Sequence, residues 1–457
     1  MNDAQTSIGV AAEPVCPPES DVSAGVGIVG ALGLIGWIVF CRNYGAFADF
    51  FEIPGPHSRL AGPYAALAAM VFSAGPMVIW SLLIDKVHRR ASTGIDWQNP
   101  RPISAVVETS VVKLAGLWST WAIIGFLYCV GRWYWSGQYL FAMEIIGLAV
   151  IPLFLLSIPY VLWLERVVAE PRDDAWNFGA MLIAREAWDA HKVKKHWRSW
   201  GIKAFFGAFM ISILPGGFAE VVNADFSGIL SDPVRLAFFL IALLFVVDVQ
   251  IGTVGYLVTM RPLDAHIRSG NPLLAGWLAA LICYPPMVFA FMGGNGIFAY
   301  EVNTAGWTHW FGASMPLLWV WAALLVVLTG IYAWATMAFG LRFSNLTYRG
   351  VLTNGPYRFT RHPAYVSKNL FWWLSVLPFL VTSGSLVDVV RNTFFLGCVS
   401  AIYFWRAKTE EAHLLGEDEK YREYHAWMEQ HGLLTRPLCA LSRRLRFRRS
   451  APVPANR

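Results

Sequence analysis

The feature that most constrains this chain is a succession of long apolar runs separated by short polar segments. A helix needs about 20 mostly apolar residues to cross a bilayer, and fewer when it is buried in a bundle. Ten stretches qualify: 25–41, 61–84, 112–131, 139–163, 204–220, 236–258, 273–299, 313–338, 370–383 and 389–405. The fifth is interrupted by Leu214-Pro215-Gly216-Gly217, and the ninth, Leu370 to Ser383, is short. Charged residues make up 14% of the 457, against about 25% in soluble domains. That excludes a soluble enzyme, a disordered chain and a nucleic-acid binder. The six cysteines form no C-x-x-C pair, so neither a disulfide framework nor a metal site is indicated.

The net charge of +6 takes its meaning from position. Cytoplasmic loops retain Lys and Arg. With ten spans and both termini cytoplasmic, 31 of the 36 basic residues fall on the cytoplasmic side. The other side holds only Arg42, Arg59, Arg132, Arg235 and Arg391. A miscounted helix would scramble this alternation. The expected fold class is therefore all-α, a polytopic transmembrane bundle of about ten spans.

Residues 1–24 lack Lys and Arg, contain Pro14, Pro17 and Pro18, and read as a disordered tail and not a signal peptide. The basic run Arg443 to Arg449 suits an anionic membrane surface or a topology signal. In the segment 164–203, Trp176, Phe178, Met181, Leu182 and Trp188 precede the basic run Lys192 to Arg198, a pattern that suits a helix lying in the membrane interface. Two acids fall inside spans, Asp248 and Glu144. An ionisable group at that depth is either a functional site or a partner in a hydrogen bond inside the bundle.

Polar chemistry concentrates in the last 115 residues. Between spans eight and nine lies Gly355-Pro-Tyr-Arg-Phe-Thr-Arg-His-Pro-Ala-Tyr365, where Asn354-Gly355-Pro356 signals a turn and Pro363 biases His362 away from helix. Tyr357, Arg358, Arg361, His362 and Tyr365 are thus presented beside an apolar hairpin. After the hairpin come Arg406-Ala-Lys-Thr-Glu-Glu411 and then Tyr421-Arg-Glu-Tyr424.

These four blocks, about a quarter of the chain, resemble the integral-membrane methyltransferases that include isoprenylcysteine carboxyl methyltransferases and phospholipid methyltransferases. The resemblance implies S-adenosylmethionine as cofactor, held in a cytoplasmic pocket of the final helices and C-terminal segment. It implies a lipid or lipophilic small-molecule substrate, arriving from the membrane, with a carboxylate, amine or thiol as methyl acceptor. By the same resemblance His362, Pro363 and Tyr365 line the cofactor site and Tyr357 supports it, while Glu410 or Glu411 receives the cofactor's cationic end. Arg361 and Arg406 are candidates for the cofactor carboxylate or an anionic substrate group, since a guanidinium binds a carboxylate through two parallel bonds. Their alternative use is a salt bridge to Glu410 or Glu411 that pins loop to helix. Arg361, Arg406 and Glu410 are the candidate catalytic residues.

The chain departs from the family pattern at Ser367-Lys368-Asn369, where family members often have glycine at the position of Ser367, and in an insert from His425 to Gly432. The expected organisation is a tail (1–24), an eight-span region of unassigned role (25–338), a methyltransferase core (339–440) and a basic tail (441–457). Two other readings compete. Membrane sterol reductases that use NADPH look like distant relatives, although Ala364 and the Thr-Glu-Glu block fit them less well. A transporter or lipid-binding scaffold would account for the Leu-Pro-Gly-Gly interruption and Asp248.

Overall fold

A computed structural model describes residues 16–440 except 133, 185–186, 295 and 438. The basic run at 443–449 lies outside the described residues. The helices are α1 (Ala24–Arg42), α2 (Tyr44–Phe50), α3 (Pro63–Leu83), α4 (Ile103–Gly131), α5 (Leu140–Val167), α6 (Asp174–Ile183), α7 (Ala190–Asn223), α8 (Pro233–Leu257), α9 (Leu274–Leu281), α10 (Met287–Phe291), α11 (Trp307–Phe311), α12 (Met315–Phe339), α13 (Pro363–Val376), α14 (Leu386–Glu417) and α15 (Glu419–His431). Two short strands, β1 (Ser269–Gly270) and β2 (Thr347–Tyr348), pair antiparallel.

Eight helices are long and apolar enough to cross a membrane: α1, α3, α4, α5, α7, α8, α12 and α14. Each coincides with an expected span. Their outer faces carry exposed apolar side chains, such as Leu148, Ile151, Leu155 and Leu156 on α5. Contiguous apolar surface of this extent needs a partner that is not water. The chain is a multi-pass, membrane-embedded helical bundle.

The two remaining expected spans are not continuous membrane-length helices. The seventh is split into α9 and α10 because Pro285 and Pro286 supply no N–H donors, and Gly293 and Gly294 then turn the chain at φ of 67° and 47°. In the ninth, α13 begins at Pro363 and ends after 14 residues. Conversely, the fifth span is not broken: α7 continues as one helix through Pro215-Gly216-Gly217. Packing against α3 and α8 supports it there, with Val246 only 3.3 Å from where a Cβ on Gly217 would stand.

Contacts among the connections sort them onto two ends of the bundle. At one end Asp21 and Val351 exchange hydrogen bonds of 2.9 and 2.7 Å, Arg90 donates to the Asp21 carbonyl, Lys420 donates to the Asp21 carboxylate, and β1 meets β2. At the other, Arg42 donates to the carbonyls of Val221, Val222 and Ala224, and Asn303 binds Asp388. These contacts overturn part of the N-terminal expectation. Residues 18–22 are not a loose tail, since Pro18 and Val22 also accept hydrogen bonds from Thr353 and Asn354.

The expectation of an interfacial helix in 164–203 is also corrected. In α6, Trp176, Asn177, Phe178, Gly179 and Ala180 are buried, and the basic run Lys192 to Arg198 forms the first turns of α7 instead. The cause is glycine. Gly116 of α4 and Gly179 of α6 let the backbones touch, so that a Cβ on Gly179 would stand 1.9 Å from the Val112 carbonyl oxygen. Beside this contact Lys113 is buried and paired with both Glu165 and Asp173. The substitution Gly179→Val forces the helices apart and lowers stability by about 1–3 kcal/mol or more. Thermal unfolding of the detergent-purified protein measures this, and an unchanged midpoint would refute the close packing.

Candidate active site

The site is built on a loop that the buried arginines hold rigid. Arg349 donates to the carbonyls of Gly255, Ala265, Leu341 and Phe343, tying α8, the segment before β1 and the end of α12 together. Arg342 donates to Asp264 at 2.6 Å and to the Arg349 carbonyl at 3.1 Å. Gly350 takes φ of 115°, and a Cβ there would meet Arg342 Nη1 at 2.3 Å. The loop can therefore pass over the arginine only with glycine at this position.

Beside this knot, His266 has a buried Nδ1 without a hydrogen-bond partner. Burial, with Arg261, Arg268, Arg349 and Arg342 nearby, pushes its pKa down to about 2. A base whose folded pKa lies below its unfolded value of about 6.5 is charged more readily in the unfolded chain. Its contribution to stability is thus complete above about pH 6.5 and is lost as pH falls, by at most about 1.4 kcal/mol per unit. His266→Gln flattens this acid limb of a pH–stability profile; an unchanged slope would show that His266 is not held neutral.

From the loop the chain turns at Asn354-Gly355, runs past Tyr357, and enters α13 at Pro363. Tyr424 of α15 donates to the Tyr357 carbonyl at 2.7 Å, closing the C-terminal helix over the loop. Between loop, α12, α13, α14 and α15 lies a cavity of about 1280 Å³, counting its open mouth. Tyr357, Arg361, His362, Tyr365, Arg406 and Glu410 all line it. A second cavity, about 1700 Å³ with its mouth, lies between α13 and α14 and shares Arg361, His362, Tyr365 and Tyr403 as a common wall.

Two of the expected residues, Pro363 and Glu411, are not among those that line the first cavity. Pro363 is buried at the first position of α13, where its missing N–H costs nothing and its fixed φ starts the helix. Glu411 faces the second cavity and is surrounded by nitrogen donors: Arg361 Nε at 3.0 Å, His362 Nε2 at 2.9 Å and Lys408 Nζ at 2.6 Å. This is the loop-pinning salt bridge, made by Arg361 to Glu411.

Glu410 has the opposite surroundings. It accepts a hydrogen bond from the Tyr365 hydroxyl, and Arg406 Nε stands 3.4 Å away. It keeps open surface toward the first cavity, with 22% of its side chain exposed against 6% for Glu411. Arg406 is itself buried, donates to Asn345 Oδ1 at 2.5 Å and lies over the rings of Tyr365 and Tyr284. Asn345 in turn donates to the hydroxyls of Tyr256 and Tyr284, at 2.7 and 2.9 Å.

Sequence reasoning missed Asn345, Tyr256 and Tyr284, which come from three separate segments and belong to no local motif. It also gave no role to Lys368 or Tyr403, although Lys368 stood in the segment that departs from the family pattern. Of the two intramembrane acids, Asp248 is buried and accepts a hydrogen bond from Thr336 on α12, whereas Glu144 is exposed on the outer face of α5.

No protein-family model, curated protein or solved structure matches the chain.

Proposed function

We propose that the chain transfers a methyl group from S-adenosylmethionine to a lipid or lipophilic small molecule, at the cytoplasmic face of a ten-span bundle with both termini cytoplasmic. One observation carries this reading. A single cavity is lined by a partly exposed carboxylate, Glu410, which is held by the Tyr365 hydroxyl and by Arg406 Nε at 3.4 Å, and by a guanidinium with an unused donor, Arg361. The Arg361 Nη1 is buried without a hydrogen-bond partner, with Glu429 Oε1 4.0 Å away. A ligand bearing both an amino-acid carboxylate and a positive sulfonium or ammonium complements that pair.

Bound there, S-adenosylmethionine supplies a methyl group already activated by its sulfonium. What remains for the protein is placement and exclusion of water. Arg361 is positioned for a carboxylate by its bond to Glu411. Glu410 opposes positive charge and is held by Tyr365 and Arg406. His362, fixed through Nε2 by Glu411 and stacked on Tyr365, forms the wall between the two cavities.

The topology has its own support. β1 and β2 pair although α12 lies between them, so the intervening chain must cross an even number of times. The broken segment α9–α10 supplies the second crossing. Likewise His362 at the start of α13 meets Glu411 near the end of α14, which calls for a crossing by α13 and the residues after it. Counting these two with the eight long helices supports a reading of ten spans.

The NADPH reading is less well served. Among the described cations that line the cavity, Arg342 and Arg349 are committed to Asp264 and to backbone carbonyls and Arg406 to Glu410 and Asn345, which leaves Arg361 and Lys368 for the three phosphate groups of NADPH. The transporter reading loses the Leu-Pro-Gly-Gly break on which it rested, because α7 is continuous there. Calorimetry on the full chain in nanodiscs with each cofactor separates the readings: S-adenosylmethionine binds and NADPH does not. Mass spectrometry of lipid extracts incubated with isotopically labelled methyl donor then identifies the product. Binding of NADPH alone would overturn the proposal.

A further inference from the structure

The segment before the first span takes no part in the proposed chemistry, yet it reaches two walls of the first cavity. Residues 17–20 have no regular secondary structure and lie against the loop that follows α12. Thr353 Oγ1 donates to the Pro18 carbonyl and Asn354 Nδ2 to the Val22 carbonyl, each at 2.7 Å. At Asp21 four parts of the chain meet. Its N–H donates to the Val351 carbonyl at 2.9 Å, and its Oδ2 accepts from the Val351 N–H at 2.7 Å. Its Oδ1 accepts from Lys420 Nζ of α15 at 2.7 Å, and its carbonyl accepts from Arg90, between α3 and α4, at 2.6 Å. One carboxylate oxygen thus holds the loop and the other holds α15.

Both partners belong to the cavity wall. Val351 lines the cavity from the loop, and Lys420 immediately precedes Tyr421, which lines it from α15 together with Tyr424. The α15 helix joins α14 through one extended residue, Asp418, at φ of −143°, so its direction is not set by a continuous helix. Side contacts set it instead. Tyr421, Tyr424 and Met428 pack on Tyr348 and Val351, Tyr424 binds the Tyr357 carbonyl, and Lys420 binds Asp21. The last of these ties α15 to a residue 399 positions away in sequence.

Asp21 is suited to that task. Burial disfavours its charge, but hydrogen bonds from Lys420 and Val351 and the nearby Arg342 bring its pKa below the ordinary value. A Cβ on Gly350 would stand 2.8 Å from Asp21 Oδ2, so glycine there is also what lets the carboxylate reach Val351.

We propose that Asp21 is a latch: by binding Val351 and Lys420 at once, it keeps α15 closed against the cavity loop and so retains the ligand in the first cavity. Asp21 is a positioning residue, since it acts through Val351 and α15 and does not itself line the cavity. Closure and binding are reciprocal, so a ligand that holds Tyr421 and Tyr424 in place also protects residues 18–22. That this ligand is S-adenosylmethionine rests on the methyl-transfer reading.

Hydrogen–deuterium exchange on the full chain in nanodiscs reads the latch, and dissociation of labelled S-adenosylmethionine reads its consequence. A 13-residue helix freed from its neighbours unwinds readily, so opening of α15 registers as exchange. In the wild type, saturating S-adenosylmethionine slows exchange in both 419–431 and 18–22. Side-chain exposures of 30% for Lys420 and 22% for Asp21 make the pair partly screened, so moderate effects are expected. In Asp21→Asn and in Lys420→Met, exchange in 419–431 quickens about three- to tenfold, and the cofactor leaves faster by a similar factor. Amides of α6, whose residues do not line the cavity, exchange as in the wild type. The double variant is no faster than the faster single one, because the same contact is lost in each, and Lys420→Arg keeps wild-type rates. Lys420→Met leaves the Asp21–Val351 bonds in place, so it tests the latch even if Asp21→Asn does not fold.

Wild-type exchange of 419–431 in Lys420→Met overturns the inference. So does quickening confined to 18–22 in Asp21→Asn, which reduces Asp21 to an anchor for its own segment, and so does faster exchange with unchanged cofactor dissociation. Failure of the methyl-transfer reading looks different: the wild type has no affinity for S-adenosylmethionine, and exchange in α15 still decides for or against the latch.

Discussion

Glu410→Gln lowers affinity for S-adenosylmethionine by about 10- to 100-fold, while Glu411→Gln, one residue on, chiefly destabilises the protein. The difference follows from what each carboxylate touches. Glu410 lines the cavity and holds only Tyr365 and the side of Arg406. Its loss removes one charge-assisted contact to a cationic ligand, worth about 1.5–3 kcal/mol. The amide still accepts from Tyr365, so the fold survives. Glu411 is buried and shared by Arg361, His362 and Lys408. Neutralising it leaves the buried Arg361 guanidinium without its nearest counter-charge, a change that costs about 3–5 kcal/mol in comparable settings. Equilibrium binding of labelled cofactor and thermal unfolding, done on both variants, make the comparison. Equal cofactor affinity in wild type and Glu410→Gln would remove Glu410 from the site.

How much of this could be read from the chain depended on which physical signal carried it. Lipid imposes a length and an apolar composition on anything that crosses it, so the eight long helices stood out in hydropathy alone. The segments that failed as continuous helices, 273–299 and 370–383, are apolar enough but contain backbone breakers, and hydropathy is blind to those. Pro215 misled in the opposite direction. A proline inside an apolar helix is tolerated when neighbours pack around it, and sequence does not show the neighbours.

The candidate site divided along similar lines. Arg361, His362, Tyr365, Arg406 and Glu410 cluster in two short blocks whose order marked them. Which of Glu410 and Glu411 faces the cavity was not legible, because successive helical residues point about 100° apart and either face could have met α13. Asn345, Tyr256 and Tyr284 were invisible for a different reason. Their roles exist only once α8, the chain after α9 and the loop after α12 converge on Arg406.

Arg349→Met is expected to prevent accumulation of folded protein, with a loss of at least about 3–5 kcal/mol. Arg349 is buried in the loop that forms one wall of the cavity, far from any carboxylate partner in ion-pair reach among the described residues. Its forked donors instead satisfy carbonyls from Gly255 of α8, Ala265 before β1, and Leu341 and Phe343 after α12. Methionine fills a similar volume but strands these buried oxygens, at about 1–3 kcal/mol for each that finds no water. Lysine should fail nearly as badly, because a single ammonium cannot reach carbonyls arrayed around a planar fork. Leu341→Ala is the control: it creates a cavity in the same place and keeps the polar contacts intact, since Arg349 binds the Leu341 backbone. Fluorescence-detected gel filtration after graded heating ranks the variants. If Arg349→Lys matched the wild type while Leu341→Ala did not, shape and not hydrogen bonding would be what holds the loop, and the rigidity of the cavity wall would have to come from elsewhere.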